Sequence, residues 1–290
     1  MDQITKKCLV IDGNNLFHRC YHASRHLPWE SEVKAIFIFL RILGSLLHKN
    51  SYQKLLIIFD SAKTNFRHQI LLEYKTNRLA TPPELLGQMD FLQNLLMQSG
   101  IPLTKLINFE ADDLIASFVS QNSRSDSSWT FNIFSQDKDL FQLLSNQVNI
   151  YRYIKGKIIS LTYQEFYQEY KFSPSSYVDY LCLLGDKVDN IIGVNGIGTK
   201  SAQQLIEKFG TIENLYQNIH QLTPKTRDLL VKNQELVNRN KQLISLKKDL
   251  ILPINWEQCD FSWKQWKTNQ ELINFCQKYQ FKSILKLFDE

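Results

Sequence analysis

Three short apolar runs, each followed by an aspartate, organise the first half of the chain. Residues 8–12 read CLVID, residues 55–60 read LLIIFD, and residues 129–137 read WTFNIFSQD. Apolar runs of this length, rich in β-branched residues, predict strands of a sheet covered on both faces. Between them, residues 33–48, 83–99 and 111–120 carry apolar side chains three and four apart, the period of an amphipathic helix. Strands alternating with helices predict an α/β domain with a mainly parallel central sheet and helices on both faces. Ligands of such sheets sit outside the carboxyl ends of the strands. Asp12, Asp60 and Asp137 all fall at those ends.

Residues 63–83 break this rhythm. They are polar and basic (Lys63, Arg67, His68, Lys75, Arg78) and end in Thr-Pro-Pro, which predicts an insertion over the active face, part loop and part helix. Residues 122–128 (NSRSDSS) predict a surface loop. From about residue 173 the chain reads as helical, with glycine turns at Gly193, Gly196, Gly198 and Gly210. The expected division is an α/β domain over residues 1–175 and a helical region over 176–290.

Composition removes several classes. With 290 residues, 43% hydrophobic and 22% charged, the chain has ordinary globular usage, not that of a disordered tail, a fibre or a coiled coil. No apolar run approaches the roughly 20 residues of a membrane span, and the N-terminus shows no signal-peptide pattern. Five scattered cysteines without a C-x-x-C pair suit reduced thiols in the cytoplasm. The net charge of +5 hints at an anionic partner.

The placement of the acids says more. Nine fall in five tight groups: Asp12; Asp60; Glu110, Asp112 and Asp113; Asp137 and Asp139; Asp186 and Asp189. Asp186 and Asp189 share a face if helical, and Asp137 and Asp139 point the same way if extended. Each group also has a structural explanation. The Glu110 group can offset a helix dipole, Asp139 can cap a helix, and Asp189 can serve a turn. Gathered at one sheet edge, however, so many carboxylates repel one another unless cations neutralise them. All-oxygen ligands favour Mg²⁺ or Mn²⁺, and more than four carboxylates suggest two ions, the arrangement that clamps both oxygens of a phosphoryl displacement. With these nine acids set aside, the 34 lysines and arginines exceed the remaining acids by 14. A basic shell around a metal-loaded acidic centre suits a nuclease.

Five segments, in order and at fitting spacing, then become recognisable: IDGNNLFHRCYHA, FDSAKTNFRHQILLEYKTNR, FEADDLIAS, SQDKDLFQLL and GDKVDNIIGVNGIGTKSAQQLIEKFG. They resemble the 5′→3′ exonuclease domain of bacterial DNA polymerase I, within the flap endonuclease family, and the resemblance covers nearly the whole chain as a stand-alone member. It implies a PIN-like nuclease domain, a helical arch over 63–83 and a C-terminal helix-three-turn-helix. It also implies two metal sites, the first from Asp12, Asp60, Glu110, Asp112 and Asp113, the second from Asp137, Asp139, Asp186 and Asp189. Some stand-alone members lack acids of the second cluster; here all four are present. Departures are small: Val188 where Ser is common, Ile191-Ile192 where Pro often occurs, and Gln136 where Ala or Thr-Ala is usual.

In the basic segment, Arg67, Tyr74, Lys75 and Arg78 can form either a solvated helix or a catalytic element. In the second case Lys75 and Arg78 stabilise charge on the phosphate and Tyr74 stacks on a base. The turn before residue 201 is either a tight helix–helix turn or a phosphate site, in which Gly196, Ile197, Gly198, Thr199, Lys200 and Ser201 present backbone and charge at a helix N-terminus. By resemblance alone, the carbonyls of Leu183, Leu184, Ile192, Val194 and Ile197 hold a K⁺ ion. His18 and His22 read as packing or phosphate contacts, and Trp256, Trp263 and Trp266 as core.

The resulting expectation is a metal-dependent 5′ nuclease, a cytoplasmic and nucleoid-associated monomer. It would act on 5′ flaps and 5′ ends of DNA, and by resemblance on RNA–DNA hybrids, in replication and repair beside a DNA polymerase. The alternatives are a DNA-binding protein with structural acids, and a phosphoesterase acting on small phosphates.

Overall fold

The computed structural model describes residues 6–25, 27, 33–61 and 64–289. Lys63, expected at the start of the insertion, lies outside them. The main sheet has six strands: β1 (Lys6–Asp12), β2 (Lys54–Ile58), β3 (Leu103–Thr104), β4 (Trp129–Phe134), β5 (Val148–Ile154) and β6 (Lys157–Leu161). Their order is β3-β2-β1-β4-β5-β6. All neighbours pair in parallel except β5 and β6, which form an antiparallel hairpin. Three strands follow the apolar runs. The β5–β6 hairpin leaves no such signal in the sequence, because its strands, VNIYRYI and KIISL, mix polar and apolar residues on a half-exposed edge.

The alternation of side chains along the strands divides the interior in two. Cys8, Val10, Leu56, Ile58, Phe131 and Ile133 point into one apolar layer. Leu9, Ile11, Leu55 and Ile57 point into the other. The first layer is covered by the helix Ala111–Ser125 and by helices from Tyr177–Leu184 through Gln234–Ile244. The second is covered by Gly13–Ser24, Lys34–Lys49 and Pro83–Gln98. The helix beginning at Ala111 runs through Ser125, so the loop expected at 122–128 is confined to its last residues.

The chain beyond residue 175 does not stay on one side. Helices Trp263–Lys267, Gln270–Lys278 and Lys282–Asp289 return to the second layer, where Trp266, Ile284 and Phe288 are buried. The crossing runs past the start of β2, where Phe261 N–H donates to Gln53 C=O at 2.9 Å and Lys54 Nζ donates to Asp260 at 2.6 Å. The expected break at 175/176 is therefore not a break in the core, and the region 176–290 serves both faces. Trp266 is core as expected, and all five cysteines are free and buried. Among the described residues no helix is long and apolar enough to cross a membrane.

A second, two-stranded sheet joins β7 (Gly185–Asp186) to β8 (Ile191–Ile192). It lies between the helices Tyr177–Leu184 and Thr199–Phe209. Gly185 has φ +74°, and a Cβ on Gly193 would stand 2.1 Å from the Leu184 carbonyl oxygen. Only glycine allows this crossing.

Candidate metal centre and nucleic-acid interface

The site lies at the carboxyl ends of β1, β2 and β4. Asp12 ends β1 and caps the helix that follows: its Oδ1 accepts from Asn15 N–H at 2.9 Å, and its Oδ2 from Ser135 Oγ at 2.8 Å. Asp60 follows β2, and its Oδ1 accepts from Ala111 N–H at 2.7 Å. Asp137 follows β4, and its Oδ1 accepts from Asp139 N–H at 2.9 Å. Glu110 and Asp112 stand at the start of the helix Ala111–Ser125. Oxygens of Asp139, Asp186 and Asp189 lie within 4.8 Å of one another. Asp186 and Asp189 come from the β7–β8 turn, where the Asp186 carboxylate accepts from Val188 N–H at 2.7 Å.

The electrostatics tie these acids into one cleft. Burial raises the Asp12 carboxyl to about 7, with the charges of Asp60 and Asp137 adding to the effect against the bonds from Asn15 and Ser135. Burial also raises Asp60, Asp112, Asp137 and Asp139. Asp112 feels Asp137 and Asp12, while Asp137 feels Asp189. Asp137 thus links the two groups. Neither the Asp112 nor the Asp139 carboxylate accepts a hydrogen bond from any described residue. A set of oxygen donors this crowded, with two of its carboxylates free of hydrogen bonds, fits hard divalent cations.

Two basic side chains reach into the cleft. Lys75 Nζ bonds Glu110 and lies 3.6 Å from Asp189, and Arg78 bonds Asp189. Burial opposes the charge on Glu110, yet Lys75 and Arg67 hold its carboxyl below the usual range. The segment carrying Lys75 is a five-residue helix, Phe66–Ile70, followed by turns. It docks on the β7–β8 turn through Lys75 N–H to Asp189 C=O at 3.0 Å, Asn77 Nδ2 to Lys187 C=O at 2.7 Å and Asn190 Nδ2 to Glu73 C=O at 2.8 Å.

Three expectations change. Asp113 was placed among the ligands, but it is fully buried and turned from the cleft. Its oxygens accept from Arg67 at 2.6 and 2.8 Å, and Oδ1 also from Lys247 N–H at 2.9 Å. Successive helix residues point about 100° apart, and here Asp113 points at Arg67 and Lys247 N–H. Arg67, placed among the catalytic residues, is the buried partner of Asp113; it also donates to Glu110 at 3.0 Å and to Leu243 C=O at 2.7 Å. Tyr74, expected to stack on a base, is 3% exposed, and its hydroxyl lies 3.0 Å from Glu110 and 3.1 Å from Asp189. Asn14, Asn15 and Ser135 also serve the site; in the sequence only their adjacency to Asp12 and Asp137 signals them.

Near the glycine turn, Gly196, Gly198, Thr199, Lys200 and Ser201 are exposed while the Ile197 side chain is buried. Gly198 leads into the helix Thr199–Phe209 with no side-chain cap. The Leu183 and Val194 carbonyls accept from Val194 and Ile197 N–H, and the Ile192 carbonyl from Asn240 Nδ2. Leu184 C=O packs against Gly193.

Comparison with known proteins fits this architecture. Residues 7–171 match the family model described as 5′-3′ exonuclease, N-terminal resolvase-like domain, and residues 172–269 match 5′-3′ exonuclease, C-terminal SAM fold. A 5′-3′ exonuclease of Buchnera aphidicola is 36% identical over 220 residues, 75% of each chain. One of Aquifex aeolicus is 34% identical over 215 residues, 73% of each. DNA polymerase I of Bacillus caldotenax is 36% identical over 221 residues, which cover 75% of this chain and 25% of that one. The fold matches the T5 D15 protein co-crystallised with metal ions at a TM-score of 0.67 and 23% identity, covering 98% of this chain and 100% of that one. Matched on both of its halves and across the residues that build the acidic cleft, the chain belongs to the 5′-3′ exonuclease family and is a nuclease.

Proposed function

We propose that the protein is a structure-specific 5′-3′ exonuclease and 5′-flap endonuclease that hydrolyses DNA phosphodiesters with two Mg²⁺ or Mn²⁺ ions. The observation that carries this reading is the convergence of Asp12, Asp60, Glu110, Asp112, Asp137, Asp139, Asp186 and Asp189, drawn from five separate chain segments, around one cleft. Asp12, Asp60, Glu110 and Asp112 would hold one ion; Asp137, Asp139, Asp186 and Asp189 would hold the other. When bound, the ions supply Lewis acidity at the attacking and leaving oxygens.

The chain's own residues do the rest. Lys75 and Arg78, already at the cleft, neutralise charge on the scissile phosphate. Their present carboxylate partners are the groups that the ions would take over. The exposed N-terminus of the helix Thr199–Phe209, with Gly196, Gly198, Thr199, Lys200 and Ser201, grips duplex backbone without reading bases. The carbonyls of Leu183, Leu184, Ile192, Val194 and Ile197 would hold a K⁺ ion there; each that accepts one hydrogen bond keeps a second lone pair. In this reading the enzyme works in the cytoplasm at the nucleoid, as a monomer beside a DNA polymerase, and also accepts RNA–DNA hybrids. Relatives in which such a domain is part of DNA polymerase I support that setting.

A cleavage assay on labelled 5′-flap, nicked and single-stranded DNA, with Mg²⁺ and with EDTA, tests the proposal. Mg²⁺-dependent release of the flap, faster than cleavage of single strands, is expected. Binding without cleavage in any metal would contradict it.

A further inference from the structure

We propose that Asn14, Asn15 and Ser135 form a polar clasp across the ends of three parallel strands, and that this clasp positions Asp12, Asp60 and Asp137 for metal binding. The inference rests on the metal reading above.

The strand pairings that β1 makes on its two sides end before Asp60 and Asp137. The last β1–β2 pair is Asp12 with Ile58, and the last β1–β4 pair is Ile11 with Phe134. Asp60 and Asp137 lie beyond both. Backbone bonds to neighbouring strands reach Phe59, at Thr104 C=O, and Ser135, at Tyr151 C=O; beyond them the N–H groups of Asp60 and Asp137 are held by side chains. Asn14 and Asn15 are neighbours in the first turn of the helix Gly13–Ser24, and their side chains leave the axis about 100° apart. Asn14 Oδ1 accepts from Asp60 N–H at 2.9 Å. Asn15 Oδ1 accepts from Gln136 N–H at 3.0 Å. One helix turn therefore holds the continuation of β2 on one side and that of β4 on the other.

Ser135 completes the clasp. Its hydroxyl donates to Asp12 Oδ2 at 2.8 Å and accepts from Asp137 N–H at 3.0 Å, and the residue is 1% exposed. Asp12 is thus held at both oxygens, by Asn15 N–H and by Ser135 Oγ, with a lone pair left on each for an ion. None of the three clasp side chains needs to touch the ion. They act through the ligands, as partners of ligands do at metal sites, where losing one lowers metal affinity about 10–100-fold.

Mn²⁺ titration calorimetry on the full chain at pH 8, paired with thermal unfolding in EDTA, tests the proposal. Ser135→Ala, which deletes one oxygen, and Asn15→Leu, which keeps the volume, should each weaken Mn²⁺ about 10–100-fold in protein still folded at the assay temperature. Asn15→Asp retains the acceptor and Ser135→Thr retains the hydroxyl, so both should recover most of the affinity. Unchanged Mn²⁺ affinity in Ser135→Ala would overturn the clasp while leaving the metal centre standing, and would do so even if Asn15→Leu failed to fold. A lower melting temperature with parental affinity would do the same, since it would mark a purely structural role. Failure of the parent chain to bind Mn²⁺ at all would overturn the metal reading, and the clasp with it.

Discussion

Arg67 and Asp113 form a two-pronged ion pair sealed from water, with Nη1 to Oδ2 at 2.6 Å and Nη2 to Oδ1 at 2.8 Å. The pair joins the basic segment, the helix that presents Glu110 and Asp112, and the helix Gln234–Ile244 through Leu243 C=O. Breaking one side of such a pair leaves a buried charge alone and costs about 3–5 kcal/mol. Arg67→Ala should lose that much stability in denaturant unfolding. Arg67→Lys should recover little, because an ammonium cannot supply the planar fork. Arg67→Met with Asp113→Leu should recover most of the loss. A stable Arg67→Ala protein without cleavage activity would instead return Arg67 to the catalytic group.

Lys75 and Arg78 hold a different position, since both rest on carboxylates, Glu110 and Asp189, that would hold ions in the proposed centre. Lys75→Ala and Arg78→Ala should each lower the single-turnover cleavage rate by about 10²–10³, the size of losing one donor to a developing oxyanion. Mn²⁺ should bind these variants at least as tightly as the parent, because a competitor for Glu110 or Asp189 is gone. Weaker Mn²⁺ binding would contradict the assignment.

The pH dependence follows from Asp12. Burial and the neighbouring acids raise its folded pKa from 3.8 to about 7. The folded state therefore binds the extra proton between those limits, and the stability contributed by this group falls as pH rises through that window. In EDTA, Asp12→Asn, which keeps the acceptor for Asn15 N–H, should melt a few degrees above the parent at pH 8. The gap should close toward pH 4. A variant less stable than the parent at pH 8 would contradict a strained, metal-seeking carboxylate.

Much of this was readable from the chain, for reasons that can be named. β1 and β2 are buried on both faces, so their cores appear as apolar runs from which Asp12 and Asp60 stand out; β4 (WTFNIF) is interrupted by Thr130 and Asn132 and reaches Asp137 only after Ser135 and Gln136. The hairpin β5–β6 lies at an edge with mixed polarity and leaves no such signal. Which way a polar side chain turns was not readable. Asp112 and Asp113 look alike in sequence, yet one helical step sends the first into the cleft and the second to Arg67. Tyr74 looked like a stacking platform because the segment around it is basic; its docking on the β7–β8 turn buries the ring. The roles of Asn14 and Asn15 depend on strand ends 46 and 121 residues away, a spacing no local pattern records.

Asp112, whose carboxylate meets no hydrogen-bond donor among the described residues, would hold a catalytic ion in the proposed centre. Single-turnover cleavage of a 5′-flap substrate by Asp112→Asn in saturating Mg²⁺ tests it most directly. A rate lower by on the order of 10³-fold or more, in protein that melts no lower than the parent in EDTA and keeps its DNA affinity, is expected. Cleavage near the parental rate would show that Asp112 holds no catalytic ion.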